Sequence, residues 1–180
     1  LIVYPSRTYG DINLVRHIIT THNIDALLIF TDPRQYEWLW VNAYEIRTKV
    51  PIIYYNIWDA PPSPQYNYHA YVSCDLLMNI SRQTHSLVKD VIKDRFTEYK
   101  WEPNKTVNKY VPHGINQNIF KPLDSEYITK LHSELFVNKE TDFIVFWNNR
   151  NQKRKHPSNI LISFRKFLDT LSEDKKKKCY

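Results

Sequence analysis

The chain has 180 residues, 25 Lys and Arg against 19 Asp and Glu, a formal net charge of +6, and 14% aromatic residues. That composition supplies a real core and argues against disorder over most of the length. The charge is uneven: residues 150–180 hold ten Lys/Arg against three acids, leaving fifteen against sixteen elsewhere. The basicity therefore belongs to the last segment and points to a local anion site more than to a nucleic-acid-binding surface.

In chain order, Leu1–Tyr4 is a short apolar run stopped by Pro5 and reads as a buried strand. Asp11 then predicts an N-cap for a helix carrying Ile12, Val15, Ile18 and Ile19, ended by Asn23. Ala26–Phe30 is the next strand. Asp32 and Pro33 open a second helix, Pro33 at the first helical position, with Tyr36, Leu39, Trp40 and Ala43 on one face. Pro51–Ile57 is a third strand. The segment Trp58–Pro64 holds three prolines and must be a rigid loop leaving that strand.

A short helix is expected through His69–Val72, then a strand over Asp75–Ile80, then a helix capped by Ser81 with Thr84, Leu87, Val88, Val91 and Ile92. Residues 97–104 read as polar loop, Val107–Pro112 as a fifth strand, and Phe120–Pro122 as extended chain. Asp124 caps a helix with Tyr127, Ile128, Leu131 and Leu135. After a hinge-like turn at residues 138–141 comes a buried strand, Phe143–Trp147. A basic turn from Asn148 to Lys155 and an amphipathic helix after Pro157 follow.

Strands alternating with helices predict parallel strands and right-handed crossovers. Strands apolar throughout predict a sheet covered on both faces. The expected fold class is therefore α/β: a Rossmann-like sheet over residues 1–122, a linker helix and hinge over 123–141, and the first βα unit of a second such domain over 142–180. Ligands of such sheets bind beyond the carboxyl ends of the strands. Two glycines in the chain exclude a glycine-rich phosphate cradle, so any phosphate site must use side-chain cations and a helix end.

Cys74 and Cys179 have no metal-type spacing, and Cys74 reads as a reduced core residue. The seven histidines form no metal-binding pattern, so no protein-held metal and no resident cofactor are expected. No apolar run approaches a membrane span. A cytoplasmic protein, free or peripheral at a membrane surface, is expected.

The residues Tyr110-Val-Pro-His-Gly-Ile-Asn116 followed by Phe120-Lys-Pro122, the Arg150 and Lys155 pair, and the run Asp75–Ser81 together resemble the retaining, family 4-like group of GT-B glycosyltransferases. The resemblance implies retaining transfer of a sugar from a nucleotide-sugar donor to an acceptor not identified by sequence. It implies that Arg150 and Lys155 bind the donor diphosphate without a metal, the acceptor binding the N-terminal domain. Where many members carry a histidine, this chain has Trp58-Asp59, so Asp59 would hold the sugar or acceptor hydroxyl as the catalytic candidate. Trp58, His113, Gly114 and Asn149 are the expected substrate contacts. The carboxylate pair that grips the donor in this group would lie beyond Tyr180. The chain is therefore expected to be truncated, to need that further part, and to be inactive without it.

Each candidate has a plainer reading. Arg150 and Lys155 could be a solvated turn, Asp59 a turn cap, His113 a structural histidine, and Gly114 a turn residue at positive φ. Lys153, Arg154 and Lys175–Lys178 read as surface. The main rival is a non-catalytic module binding nucleic acid or another polyanion through the basic end. A sugar-phosphate epimerase of the same shape is a third option.

Overall fold

The computed structural model describes residues 1–98, 100, 102–137 and 140–180, which form two compact units, Leu1–Ile115 and Asn116–Tyr180. In the first, helix α1 (Ile12–His22) is followed by strand β1 (Leu27–Phe30). A 3-10 turn at Pro33–Tyr36 leads into α2 (Glu37–Trp40), α3 (Ala43–Arg47) and β2 (Ile52–Asn56). Then come α4 (Tyr68–Val72), β3 (Leu76–Asn79), α5 (Arg82–Ile92), β4 (Phe96–Thr97) and β5 (Thr106–Tyr110). The strands form a five-stranded sheet in the order β1-β2-β3-β5-β4, parallel at every pairing. This is an α/β unit with a Rossmann-like parallel sheet. No helix among the described residues is long and apolar enough to cross a membrane.

Local chemistry sets the helix starts. Asp11 accepts hydrogen bonds from the Asn13 and Leu14 amides at 2.9 and 3.0 Å, and Asn23 closes α1 in the left-handed region at φ 44°. Ser81 accepts from the Thr84 amide at 2.9 Å to start α5. Asp32 accepts from the Arg34 amide at 3.0 Å, with Pro33 behind it. These side chains satisfy donors that a helix or 3-10 start leaves unpaired. The expected single helix after Asp32 is instead broken into the 3-10 turn, α2 and α3. Asn42 sits at the break, its side-chain amide donating to the Trp38 carbonyl at 2.7 Å, a local bond that competes with helix continuation. Of its expected core face Leu39, Trp40 and Ala43 are buried and Tyr36 is half-buried, and Ile46 joins them in the core.

Four further expectations are corrected. Leu1–Tyr4 is not a strand: Leu1, Ile2 and Val3 are exposed, and Tyr4 packs on His17 and His22 of α1. Pro5 removes a ladder donor, and β1 pairs with β2 alone. The loop expected from residue 97 gives up Thr97 to the two-residue edge strand β4, where Phe96 and Thr97 pair with Thr106 and Val107. Of the extended chain expected at Phe120–Pro122, Phe120 and Lys121 instead form a bend at the end of a turn closed by Asn116, whose carbonyl accepts from the Phe120 amide at 2.8 Å. The sheet is also not covered on both faces. Burial alternates along β2, β3 and β5, with Ile52, Tyr54, Leu77 and Asn108 fully buried while Leu28 and Phe30 stay more than half exposed. Topology explains this. From β1 through β2 and β3 to β4 the chain steps in one direction, so right-handed crossovers place their helices on one face. On the one step back, β4 to β5, no helix lies among the described residues.

The N-terminal end of the sheet is locked by Asp75. Its Oδ1 accepts from Arg47 Nε and Nη2 at 3.0 and 2.8 Å, and its Oδ2 from the Ile52 amide at 2.8 Å. Cys74 is fully buried, which pushes its thiol pKa up and keeps it protonated and inert.

The second unit holds α6 (Ser125–Leu135), α7 (Pro157–Asp169) and α8 (Glu173–Lys176). Asp124 caps α6 by accepting from the Tyr127 amide at 2.7 Å. The expected buried strand Phe143–Trp147 is corrected: it forms a single parallel bridge, Phe143 to Cys179, and all five residues are exposed, Phe146 at 84%. A strand needs partners on both edges to be central, and here Lys178–Tyr180 alone pairs with it. The opening βα unit of a second sheet is thus reduced to a bridge and a helix. Of the expected hinge at residues 138–141, Asn138 and Lys139 lie outside the described residues.

Candidate functional site

Parallel pairing gathers every strand's carboxyl end at one edge of the first unit. The residues delivered there are Thr31-Asp32 after β1, Ile57-Trp58-Asp59 after β2, Ile80-Ser81-Arg82 after β3, and Val111 to Gly114 after β5. Between the first two lies a pocket of about 290 Å³ lined by Asp32, Arg34, Ile57, Trp58 and Asp59. The Asp32 carboxylate receives Arg34 through Nε at 2.9 Å and through Nη2, a two-point contact. That hydrogen-bonded guanidinium holds the Asp32 carboxyl below the usual carboxylate range. Asp59 is exposed and has no hydrogen-bond or ion-pair partner among the described residues.

Trp58 is held from several directions. Its amide donates to Asn56 Oδ1 at 3.2 Å, and its carbonyl accepts from Thr84 Oγ1 at 2.6 Å. Its indole N–H donates to the Ala60 carbonyl at 2.6 Å, and Tyr66 packs against the ring at 73°. The Pro61–Pro62 bond in the same loop is cis.

Behind this edge runs a buried amide ladder that sequence reasoning missed. Asn108 Oδ1 accepts from Asn79 Nδ2 at 2.6 Å, and Asn79 Oδ1 accepts from Asn56 Nδ2 at 3.2 Å. Asn56 Oδ1 in turn takes the Trp58 amide and, at 3.4 Å, the Tyr54 hydroxyl. All three asparagines are fully buried on adjacent strands. Asn108 Nδ2 has no partner among the described residues. The available signal was an asparagine two residues after a buried position on three neighbouring strands, Tyr54, Leu77 and Thr106 preceding Asn56, Asn79 and Asn108.

His113 lies outside the pocket's lining. Its Nδ1 is 3.1 Å from the Tyr55 hydroxyl, which also donates to the Val111 carbonyl at 3.0 Å. Tyr55 is half-buried and stacks on Phe30. Gly114 is exposed, its φ is not positive, and a Cβ there would meet nothing within 4 Å, so the positive-φ turn reading is corrected. Arg82 sits over the Tyr110 ring at 5.6 Å.

Asn149, Arg150 and Lys155 belong to the second unit. Asn149 Oδ1 accepts from the Arg150 amide at 3.1 Å. Arg150, Lys153, Arg154 and Lys155 have no ion-pair partner among the described residues, and Lys153–Lys155 form a 3-10 turn leading into α7. α7 has Pro157 at its first position and His156 as N-cap, with no side-chain cap. By contrast Lys176 pairs with Glu173 and Lys178 with Glu140, so the lysine run is partly neutralised. No three His, Cys, Asp or Glu side chains among the described residues are grouped as metal ligands would be. The chain matches none of the models of known protein families, and no curated protein matches it.

Proposed function

We propose that this chain carries the acceptor-side unit and the start of the donor-side unit of a retaining, nucleotide-sugar-dependent glycosyltransferase of the GT-B type. The observation that carries the reading is the basic turn ahead of α7. Four cations there lack ion-pair partners among the described residues, and they precede a 13-residue helix whose N-terminus has no side-chain cap. α1, α5 and α6 each have such a cap. An uncapped helix start beside unneutralised cations favours an anion. Arg150 and Lys155 bind the donor diphosphate and stabilise it as it departs, the charge work a phosphate leaving group needs. Asp59 accepts a hydrogen bond from a hydroxyl of the sugar or acceptor. The parallel sheet and the His113-Gly114 segment beside the unit boundary at Ile115 are consistent with this arrangement.

The test is calorimetric titration of the chain with UDP, GDP and ADP. Arg150→Ala is expected to weaken the best of them by about tenfold to a hundredfold, the worth of one charged hydrogen bond or a bidentate pair. Absence of nucleotide binding, with steep salt-dependent oligonucleotide binding lost on neutralising Lys175–Lys178, would favour the polyanion-binding module instead.

A further inference from the structure

We propose that the pocket between β1 and β2, bounded by Asp32, Arg34, Ile57, Trp58 and Asp59, binds a neutral polyhydroxylated ring, a sugar. Its role as the acceptor subsite rests on the transferase reading; the binding itself rests on the pocket. At about 290 Å³ it sits at the small end of ligand sites and suits one ring rather than an extended chain.

Its chemistry selects the class. The indole N–H of Trp58 is already spent on the Ala60 carbonyl, so what the ring presents is π surface, suited to the C–H face of a pyranose. The Asp59 carboxylate has no partner among the described residues and can take two hydroxyl donors at once. Arg34 is tied to Asp32 through Nε and Nη2, which fixes its fork while leaving guanidinium N–H groups to donate to ring or hydroxyl oxygens.

Charge excludes the competitors. Two carboxylates against one guanidinium leave the pocket with one net negative charge, so a phosphate or carboxylate ligand is repelled. Beside Trp58 its apolar lining is Pro33, Ile57 and Ala60, and about 290 Å³ leaves no room for an extended acyl chain. The rim is also pre-set. The Trp58 amide and carbonyl are bound by Asn56 and Thr84, both fully buried, so little ordering remains to oppose binding.

The experiment uses the whole chain labelled with 5-fluorotryptophan, the Trp58 resonance being assigned from Trp58→Phe. Methyl glucoside, methyl mannoside and methyl galactoside are titrated with fluorine NMR as the readout. At least one is expected to shift the Trp58 signal saturably, with a Kd on the order of 1–10 mM. Asp59→Asn, at an exposed position, is expected to weaken that glycoside about tenfold, and Arg34→Gln about threefold to tenfold. Glucose 6-phosphate should bind more weakly than glucose, and glucosamine at least as tightly.

The proposal is overturned if none of the three glycosides moves the Trp58 signal, if the shift survives both Asp59→Asn and Arg34→Gln unchanged, or if the phosphate binds tighter. Glycoside failure with nucleotide binding intact sinks this proposal alone. Glycoside binding without any nucleotide binding sinks the transferase reading and leaves the pocket a carbohydrate site.

Discussion

The two units use the same alternation of apolar strand and amphipathic helix and reach different outcomes. Leu1–Ile115 buries Leu39, Ile46, Ile52, Tyr54, Tyr71, Leu77, Val88 and Ile92 to 1% exposure or less. No described residue of Asn116–Tyr180 is buried, although α6 and α7 are amphipathic. The difference lies in strand partners. β2, β3 and β5 each have a neighbour on both sides, and the helices pack on the platform they make. Phe143–Trp147 has one short neighbour, so α7 has little to cover. An amphipathic stripe states what a helix could bury; a sheet decides whether it does.

The largest test of this contrast is a pair of truncations. Leu77→Ala should cost about 2–5 kcal/mol in urea unfolding followed by circular dichroism, whereas Ile160→Ala in α7 should cost under about 1 kcal/mol. Equal costs would break the comparison.

Next comes the amide ladder. Asn79→Ala removes three side-chain hydrogen bonds, two of them to the buried Asn56 and Asn108, at about 1–3 kcal/mol. Asn108→Ala should cost less, because its Nδ2 already lacks a partner. The same unfolding assay, run on both variants, ranks them.

A pH dependence confined to the first unit is third. Burial raises the Tyr71 hydroxyl from 10.0 to about 12 and pushes Tyr54 up as well. A raised tyrosine stabilises fully below the unfolded value near pH 10. That stability is lost as pH rises through the folded value, so Tyr71 alone forfeits on the order of 2–3 kcal/mol between pH 10 and 12. Urea midpoints should fall steeply over that window, with phenolate absorbance rising at the same transition. A midpoint flat to pH 12 would contradict the buried assignment.

The smallest effect separates the two glycines. Gly10→Ala should cost about 1 kcal/mol in thermal unfolding, because its φ is +90° and a Cβ would lie 3.3 Å from the Trp38 ring. Gly114→Ala should fall within about 0.5 kcal/mol of the parent, nothing standing within 4 Å.

What the sequence made legible was local. Asp11, Ser81 and Asp124 announce their helices, Pro33 and Pro157 sit at first positions, and β2 and β3 follow their apolar runs. What it concealed was relational. Leu1–Tyr4 and Phe143–Trp147 have strand composition, but pairing is a property of neighbours. Leu28 and Phe30 read as core until the direction of the crossovers leaves their face bare. Asp32 and Trp58 are 26 positions apart, and only the register Phe30 to Tyr55 brings their segments into one pocket. Asn56, Asn79 and Asn108 look like ordinary polar strand residues, because composition does not say which polar group is sealed from water.

The fastening of Trp58 at both its amide and its carbonyl divides the loop after β2 into two halves with different evolutionary freedom. A residue inserted between Ile57 and Asp59 would drag the indole out of register with both anchors. One inserted among Pro61–Pro64, past the Ala60 contact, would disturb neither. Length variation among descendants of this chain should therefore accumulate on the proline side, while the tryptophan keeps its distance from the strand.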